Sequence, residues 1–472
     1  MKKVLVSGVF NVLHPGHIRL FRYAKECGDT LIVAVQSDDS CEHPIHVEKD
    51  FRLEMVLSNN YVDEAFLTNE SIIEIVQRIR PNILVKGREF ENEINPEECI
   101  LKSYGGEIVF DSGDAIFSSL DLMQKVDKCS IELPIDYMDR HNITRPSLLS
   151  CIDKFSEIRV AVIGDLIMDE YITCDPIGMS QEDPTIVVTP IDNSIFIGGA
   201  GIVSAHASGL GAKVDFITVV GDDPMHKNAS KELESARVNS FLMLDKHRPT
   251  TFKQRYRCKG KTLLRVSHLH QRDISKSLQY ELIRKIEKLI NKIDLLVFSD
   301  FNYGVLTSYV VNRITKLAKI KGVFIAADSQ SSSQIGDISR YNNVGLLTPT
   351  EREARIAMQD SNNGLIILSE NLRNKTNADN ILLKLGEEGV IIHANGDDSN
   401  DFLTDKIEAL NPNPVDVSGA GDSMLIMASM VLSMGGSIWE AALLGSLAAG
   451  VQVGRLGNQP LKIDEINGLI KQ

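Results

Sequence analysis

The chain has 472 residues, with 50 Lys and Arg against 64 Asp and Glu, and a formal net charge of −14 at neutral pH. This acidic balance argues against nucleic acid or an anionic membrane surface as the main partner, and the length exceeds that of one ordinary domain. The seven cysteines show no paired metal-ligand spacing and fit free thiols in a reducing cytoplasm, while the apolar run after Met1-Lys2-Lys3 is too short for a secretory leader.

Residues 3–7 read as a strand. Gly8-Val9-Phe10-Asn11-Val12-Leu13-His14-Pro15-Gly16-His17 follows as a turn, and Ile18, Leu20, Phe21 and Ala24 mark one face of a helix. His14 and His17 stand three positions apart at the helix start and point the same way, where both can donate to oxygens of a nucleoside triphosphate at the positive end of the dipole. Such a pair can also bind metal, but no further Cys or His cluster nearby completes a ligand set. Strands near 3–8, 30–36, 62–67, 82–86 and 106–110 alternate with helical stretches. That order predicts a parallel, Rossmann-like sheet with ligands at the carboxyl ends of its strands. Residues 129–146 contain Leu133-Pro134 and Arg145-Pro146 and no sustained periodicity, which predicts an irregular linker between domains at 1–128 and 147–472.

The second domain alternates again, with buried strands at 159–163, 214–219, 295–299, 323–327 and 390–393 and a helix marked by Leu278, Leu282, Ile286, Leu289 and Ile293. The β-rich segments 185–190 and 250–266 interrupt the alternation. Residues 423–454 read as two packed core helices, since Gly435-Gly436 and Glu440 interrupt what would otherwise resemble a membrane span. The clearest chemistry lies in Asp416-Val417-Ser418-Gly419-Ala420-Gly421-Asp422-Ser423. Gly419, Ala420 and Gly421 let backbone N–H groups approach a phosphate closely at a helix N-terminus. Asp422 then stands where a carboxylate can take the proton of a hydroxyl attacking the γ-phosphorus of ATP. The plainer alternative is a Gly-rich helix cap.

Three further segments, Val162-Ile163-Gly164-Asp165-Leu166-Ile167-Met168-Asp169, Ser299-Asp300-Phe301-Asn302-Tyr303-Gly304 and Thr348-Pro349-Thr350-Glu351-Arg352-Glu353, fall around Gly198-Gly199-Ala200-Gly201 and Gly209-Leu210-Gly211-Ala212. Together with the Asp422 motif, this order resembles the ribokinase-like (PfkB) sugar kinases. It is most similar to the kinase half of the bifunctional heptose-7-phosphate kinase / heptose-1-phosphate adenylyltransferases, with the domain order reversed. The resemblance implies an α/β kinase domain with a small β lid that covers the sugar and often forms a dimer contact, hence a homodimer. It also implies sugar binding by Asp165 and Asp169, with N-capping as their alternative, and by Gly198 and Gly199. Glu353 would organise Mg²⁺ through water. Lys384 lies where the family contacts nucleotide but, as a lone loop lysine, is taken as solvated. The His-x-Gly-His turn resembles the nucleotidylyltransferases, which implies nucleotide binding by Gly8 and Phe10 and catalysis by His14, His17 and Lys86. By the same resemblance Arg52 and the helix start at Ser118-Ser119 hold nucleotide; a solvated helix position and an ordinary N-cap remain their alternatives.

Several residues depart from the family pattern. Asn11 replaces an Asp of the first motif, and Ile202 an Asn expected to read a sugar hydroxyl. Tyr303 and Gln330 replace lysines of the heptose kinases, and Thr350 replaces the Asn before Glu353. Lys253, Arg255, Arg257 and Arg265 can supply the missing charge. The expectation is a bifunctional, Mg²⁺-dependent enzyme of nucleotide-sugar synthesis. It phosphorylates a heptose 7-phosphate-like sugar with ATP, then transfers a nucleotidyl group from ATP or CTP to the sugar 1-phosphate and releases pyrophosphate. The alternatives are another sugar or polyol phosphate, or a silent domain acting as a sugar-nucleotide sensor, against which intact Asp422, His14 and His17 argue.

Overall fold

Val4, Leu5 and Val6 are all buried, and the strand they form, β1 (Lys3–Gly8), is covered on both faces. Val4 and Val6 pack with Phe21 and Val33 on one side, and Leu5 packs with Ile32, Ile75 and Leu84 on the other. Two-sided burial of this kind is what a parallel sheet between helices requires. The computed structural model describes residues 2–10, 13, 15–37, 47–87, 95–110, 131–180, 182–183, 185–258, 261–331, 335–394 and 403–471. The chain divides into two units, Met1–Lys128 and Cys129–Gln472.

Among the described residues of the first unit, β1 is followed by β2 (Thr30–Gln36), β3 (Glu64–Thr68), β4 (Ile83–Lys86) and β5 (Glu107–Phe110), in the sheet order β3-β2-β1-β4-β5. Every pairing is parallel. Helices Pro15–Glu26, Lys49–Leu57, Ile72–Ile79 and Glu97–Ser103 connect them. Ile72–Ile79 starts at a capping box in which Ser71 and Glu74 satisfy each other's backbone N–H groups. The strand order reverses between β1 and β4, so Gly8 and Lys86 end at the same sheet edge, at the switch point where α/β folds bind ligands.

The described strands of the second unit are β6 (Arg159–Gly164), β7 (Leu166–Met179), β8 (Ile186–Gly199), β9 (Lys213–Gly221), β10 (Asn239–Asp245), β11 (Thr251–Cys258), β12 (Lys261–His268), β13 (Leu295–Asp300), β14 (Phe324–Ser329), β15 (Leu346–Leu347), β16 (Asn380–Lys384), β17 (Val390–Ala394) and β18 (Leu403–Ile407). One sheet runs β10-β9-β6-β13-β14-β15-β16-β17-β18, parallel through β16 and antiparallel beyond it. A second sheet, β12-β11-β7-β8, is the lid. β7 was not foreseen: after Gly164 the chain continues as a strand of 14 residues into the lid, so Asp169 lies within β7 and not at the end of β6.

The stretch expected as an irregular linker is partly ordered onto the second unit. A helix at Ile135–Arg140 buries Tyr137 and Met138, and the Tyr137 hydroxyl donates to the Trp439 carbonyl at 3.0 Å. Residues 423–454 fall in two helices, Ala420–Ser433 and Ile438–Val453, joined by a short turn at 434–437, and both helices are lined by buried apolar side chains. Among the described residues no helix is long and apolar enough to cross a membrane.

Candidate active site

A cleft of about 940 Å³ opens in the second unit, walled by Asp169, Lys253, Arg255, Gln330, Glu353 and Lys384 together with residues 419–422. The glycine turn reaches this wall because the helix behind it is anchored: Met424 through Val431 are buried, so the first turn is fixed by the core. Gly419 sits in the left-handed region at φ 79°, and a Cβ there would collide with Asn458.

Asp422, in that first turn, is 5% exposed. Burial, reinforced by the Asp328 carboxylate, pushes its pKa up to about 7. Nε2 of Gln330 donates to its Oδ1 at 3.2 Å. A carboxyl group poised near neutrality and aimed into a cleft suits proton abstraction from a hydroxyl.

Lys384, taken from the sequence as a solvated loop lysine, is instead buried in the wall of this cleft. It ends β16, and its Nζ lies 2.9 Å from Oδ2 of Asp328, with the two side chains 12% and 2% exposed. Burial works against its charge, but Asp328, Glu353 and Asp422 offset that and hold its pKa above the ordinary lysine value. Burial likewise raises Asp328, to about 6, against the pull of Lys384. The available signal was the buried run Ile381-Leu382-Leu383. It makes Lys384 the last residue of a core strand, at the edge where ligands bind.

The carboxylates expected to bind sugar separate into two roles. Asp169 lines the cleft and meets Nη2 of Arg255 at 3.3 Å. Burial raises its pKa while Arg255 and Lys253 oppose the rise. Asp165 is not among the residues that line the cleft. It accepts backbone N–H groups from Phe301, Tyr303 and Val305 at 3.0, 3.2 and 3.3 Å, and it braces the loop after β13 from behind. Burial and the Asp300 charge push it up to about 6. Gly199 lines the cleft, whereas Gly198 leaves room for Asp169, whose Oδ2 is 2.5 Å from where a Cβ would stand. Ile202, expected in the sugar pocket, is fully buried in the core.

Glu353 lines the cleft and accepts backbone N–H groups from Ser331 at 2.9 Å and Thr350 at 2.8 Å. Thr350 closes a capping box with it, so the residue that replaces the family's Asn still orients the carboxylate. Each Glu353 oxygen retains a second lone pair. That donor set fits Mg²⁺ held through water and substrate phosphates, as Mg²⁺ usually is. Among the described residues no cluster of three or more His, Cys, Asp or Glu is placed to hold a metal ion unaided. Tyr303 is 1% exposed. The Lys253 ammonium lies 5.3 Å from its ring centre and 5.6 Å from that of Phe301, so a lid lysine brings charge beside a position that lacks one. Arg255 also donates to the hydroxyls of Tyr171 at 2.8 Å and Ser418 at 2.6 Å, tying the lid to the glycine turn.

In the first unit, Gly8 closes β1 and Phe10 is 3% exposed at φ 47°. Its ring packs against those of His17 and Phe21, each at 5.2 Å. Arg52, 0% exposed, is not on a solvated face. Its guanidinium donates to the carbonyls of Val9, of Gln36 at 2.8 Å and of Val47 at 2.9 Å, which clamps the segments after β1 and β2. Lys86 ends β4, with its ammonium 2.5 Å from Asn95 Oδ1 and 2.7 Å from Glu97 Oε1. Asn11, His14, Ser118 and Ser119 lie outside the described residues.

Comparison with known proteins follows the same division. Residues 157–464 match the family described as pfkB family carbohydrate kinase, and residues 5–131 match the cytidylyltransferase-like family. The bifunctional protein HldE of Aliarcobacter butzleri is 33% identical over 65% of this chain and 63% of its own length. That of Campylobacter jejuni is 32% identical over 65% and 64%. The chain therefore spans a little under two thirds of the length of these relatives. Ribokinase from Thermotoga maritima covers 67% of the chain at a TM-score of 0.52 and 20% identity, with all of its own length matched. Arabidopsis thaliana ribokinase, solved with ribose and ATP, covers 67% at 0.52 and 16%, with 99% of its own length matched. These two likenesses give the fold of the second unit.

Proposed function

The chain belongs to the pfkB family of carbohydrate kinases, and from that premise we propose that its second unit transfers the terminal phosphoryl group of ATP to the anomeric hydroxyl of a phosphorylated sugar, a heptose 7-phosphate or a close analogue. The first unit then joins a nucleotidyl group from ATP or CTP to the sugar 1-phosphate and releases pyrophosphate. The observation that carries this reading is the pairing, in one cleft, of the buried base Asp422 with the lid cations Lys253, Arg255 and Arg265. A base alone fits any sugar kinase; the added cations favour an acceptor that already carries a phosphate, because charge-assisted contacts are the strong ones.

In this reading Asp169 and the Gly199 backbone hold the sugar hydroxyls, Asp422 takes the proton of the attacking oxygen, and the turn at residues 419–421 receives the phosphoryl oxygens. Glu353 holds Mg²⁺ through water, and the ion neutralises triphosphate charge. In the first unit His14, His17 and Lys86 hold the triphosphate of the second nucleotide at the switch point. Gly8 and Phe10 shape the turn, and Ser118 and Ser119 complete the nucleotide site. The exposed Ile177, Met179, Ile186 and Ile191 of the lid favour a homodimer joined through that sheet, since exposed apolar patches mark contact surfaces. The setting is cytoplasmic.

A second reading keeps both chemistries but changes the sugar. It is favoured by Gln330, which puts a neutral amide on Asp422 where the heptose kinases carry a lysine. Phosphorus NMR of the full chain with Mg²⁺, ATP and CTP against a panel of sugars and sugar phosphates decides between them. Conversion of heptose 7-phosphate through a 1-phosphate to a nucleotide sugar supports the first reading, and turnover of another sugar alone supports the second. Nucleotide binding without any turnover defeats both in favour of a sensor.

A further inference from the structure

Lys384 ends β16 and is buried beside Asp328 in the wall of the cleft. Its ammonium ends in the cleft wall, and a Cβ on Gly421 would stand 3.0 Å from Nζ, 3.6 Å from Cδ and 3.7 Å from Cε. The lysine therefore lies flat against the glycine turn, at the point where the absence of a side chain leaves room for an anion. Its strand is fixed there: the Lys384 N–H donates to the Pro349 carbonyl at 2.8 Å, and Thr350 and Lys384 form a parallel bridge. The same bridge sets Lys384 beside the segment that orients Glu353. Its ammonium donates to Oδ2 of Asp328 at 2.9 Å. Asp328 belongs to β14, two strands away, and its carboxylate holds the ammonium beside the turn.

We propose that Lys384 is a catalytic residue of the kinase: held by Asp328 before nucleotide binds, its ammonium contacts the terminal phosphate at residues 419–421 and follows that group through transfer. As the acceptor oxygen bonds to the terminal phosphorus, the bond from phosphorus to the bridging oxygen of the nucleoside diphosphate breaks. The acceptor's proton passes to Asp422, and Lys384 keeps its protons throughout. The in-flight phosphoryl group spreads charge over its equatorial oxygens, and a fixed cation in a water-poor cleft acts on that charge more strongly than on the ground state. The Lys384 charge also pulls both Asp422 and Asp328 downward and so partly offsets the effect of burial on each.

The inference rests on the kinase reading above, and the test separates the two. In the full chain, binding of ADP alone and of ADP with aluminium fluoride, a mimic of the phosphoryl group in flight, is measured beside steady-state sugar phosphorylation. Lys384→Met is expected to lower kcat by ~10²–10³-fold, to keep the ADP dissociation constant within about threefold and to lose the extra affinity that aluminium fluoride confers. Lys384→Arg should recover part of both. Because Lys384→Met strands a buried carboxylate, the double variant Lys384→Met/Asp328→Asn serves if the single variant melts early, and it is expected to show the same selective loss. Full kcat in Lys384→Met, or a loss of ADP and aluminium fluoride affinity in equal measure, overturns the role of Lys384. A wild-type chain that phosphorylates no sugar and gains nothing from aluminium fluoride overturns the kinase reading, and this inference with it.

Discussion

The side-chain amide of Gln330 donates to Oδ1 of Asp422 at 3.2 Å, so the proposed base of the kinase is oriented by a neutral group. Among the described residues no cation is seen hydrogen-bonded to Asp422, and burial with the nearby Asp328 charge, against the pull of Lys384 and Lys253, holds its pKa at about 7. A base works only when ionised, so kinase kcat/KM should rise with pH through about 7 and level off above it. Gln330→Lys puts an ammonium on the same oxygen and should move that midpoint down by about 1 unit. Asp422→Asn should lower kcat by ~10²–10⁴-fold at any pH. A pH profile of each variant checks this, and an unmoved midpoint in Gln330→Lys would show that another group sets the profile.

Asp165 should matter for stability more than for sugar binding. Its carboxylate receives three backbone N–H groups from the loop after β13, and its pKa is raised to about 6 by burial and Asp300. Because the folded value lies above the unfolded one, its contribution is fully present below about pH 4 and declines as pH rises through about 6. Asp165→Asn imitates the protonated form and should cost about 1 kcal/mol or less at neutral pH, whereas Asp165→Ala strands buried donors and should cost about 3 kcal/mol. Urea denaturation reads both. A large rise in sugar KM with unchanged stability would return Asp165 to the sugar site.

The strands that were legible in the sequence are those buried on both faces, such as Leu31 through Val35, because two-sided burial writes itself as an unbroken apolar run. β7 was not legible. Its first half is buried and its second half is exposed apart from Cys174, so no single period runs along it, and the difference between Asp165 and Asp169 hangs on that strand. The helix Ile135–Arg140 has six residues, too few to show a 3.6 period. The glycine turn and Asp422 were readable because their chemistry is local. Lys384 was not, since the carboxylate that holds it comes from Asp328, 56 positions earlier. Arg52 likewise shows its purpose only once the loops after β1 and β2 meet over it.

Glu370 gives the second unit a defined sensitivity to acid. Its carboxylate bonds Arg373 at 3.0 Å, Asn374 at 2.9 Å and the fully buried His393 at 2.8 Å. Arg373 foremost, then His393, hold it down at about 2 against the cost of partial burial. A depressed carboxylate adds stability that is complete above its unfolded value of about 4.5 and is lost as pH falls toward 2. Glu370→Gln should therefore cost about 1–3 kcal/mol at pH 7, and its melting temperature should approach that of the parent chain only as pH falls toward 2. A gap that persists in acid would mean that packing, not charge, is what the substitution removes.

Lys86 lets the two proposed activities be separated without confusing function with folding. Its ammonium meets Glu97, which is 1% exposed, so Lys86→Met does two things at once: it removes the cation at the switch point and leaves a buried carboxylate unpaired, at a cost of about 3–5 kcal/mol. Adding Glu97→Gln removes the stranded charge and should restore most of that stability, because a matched pair can be replaced by neutral groups at little net cost. It cannot restore a contact to a triphosphate. The double variant should therefore melt close to the parent chain, phosphorylate sugar at the parent rate and form nucleotide sugar ~10²-fold or more slowly. If the double variant also recovers transferase activity, Lys86 serves only to neutralise Glu97, and the anion at that edge is held by the first motif alone.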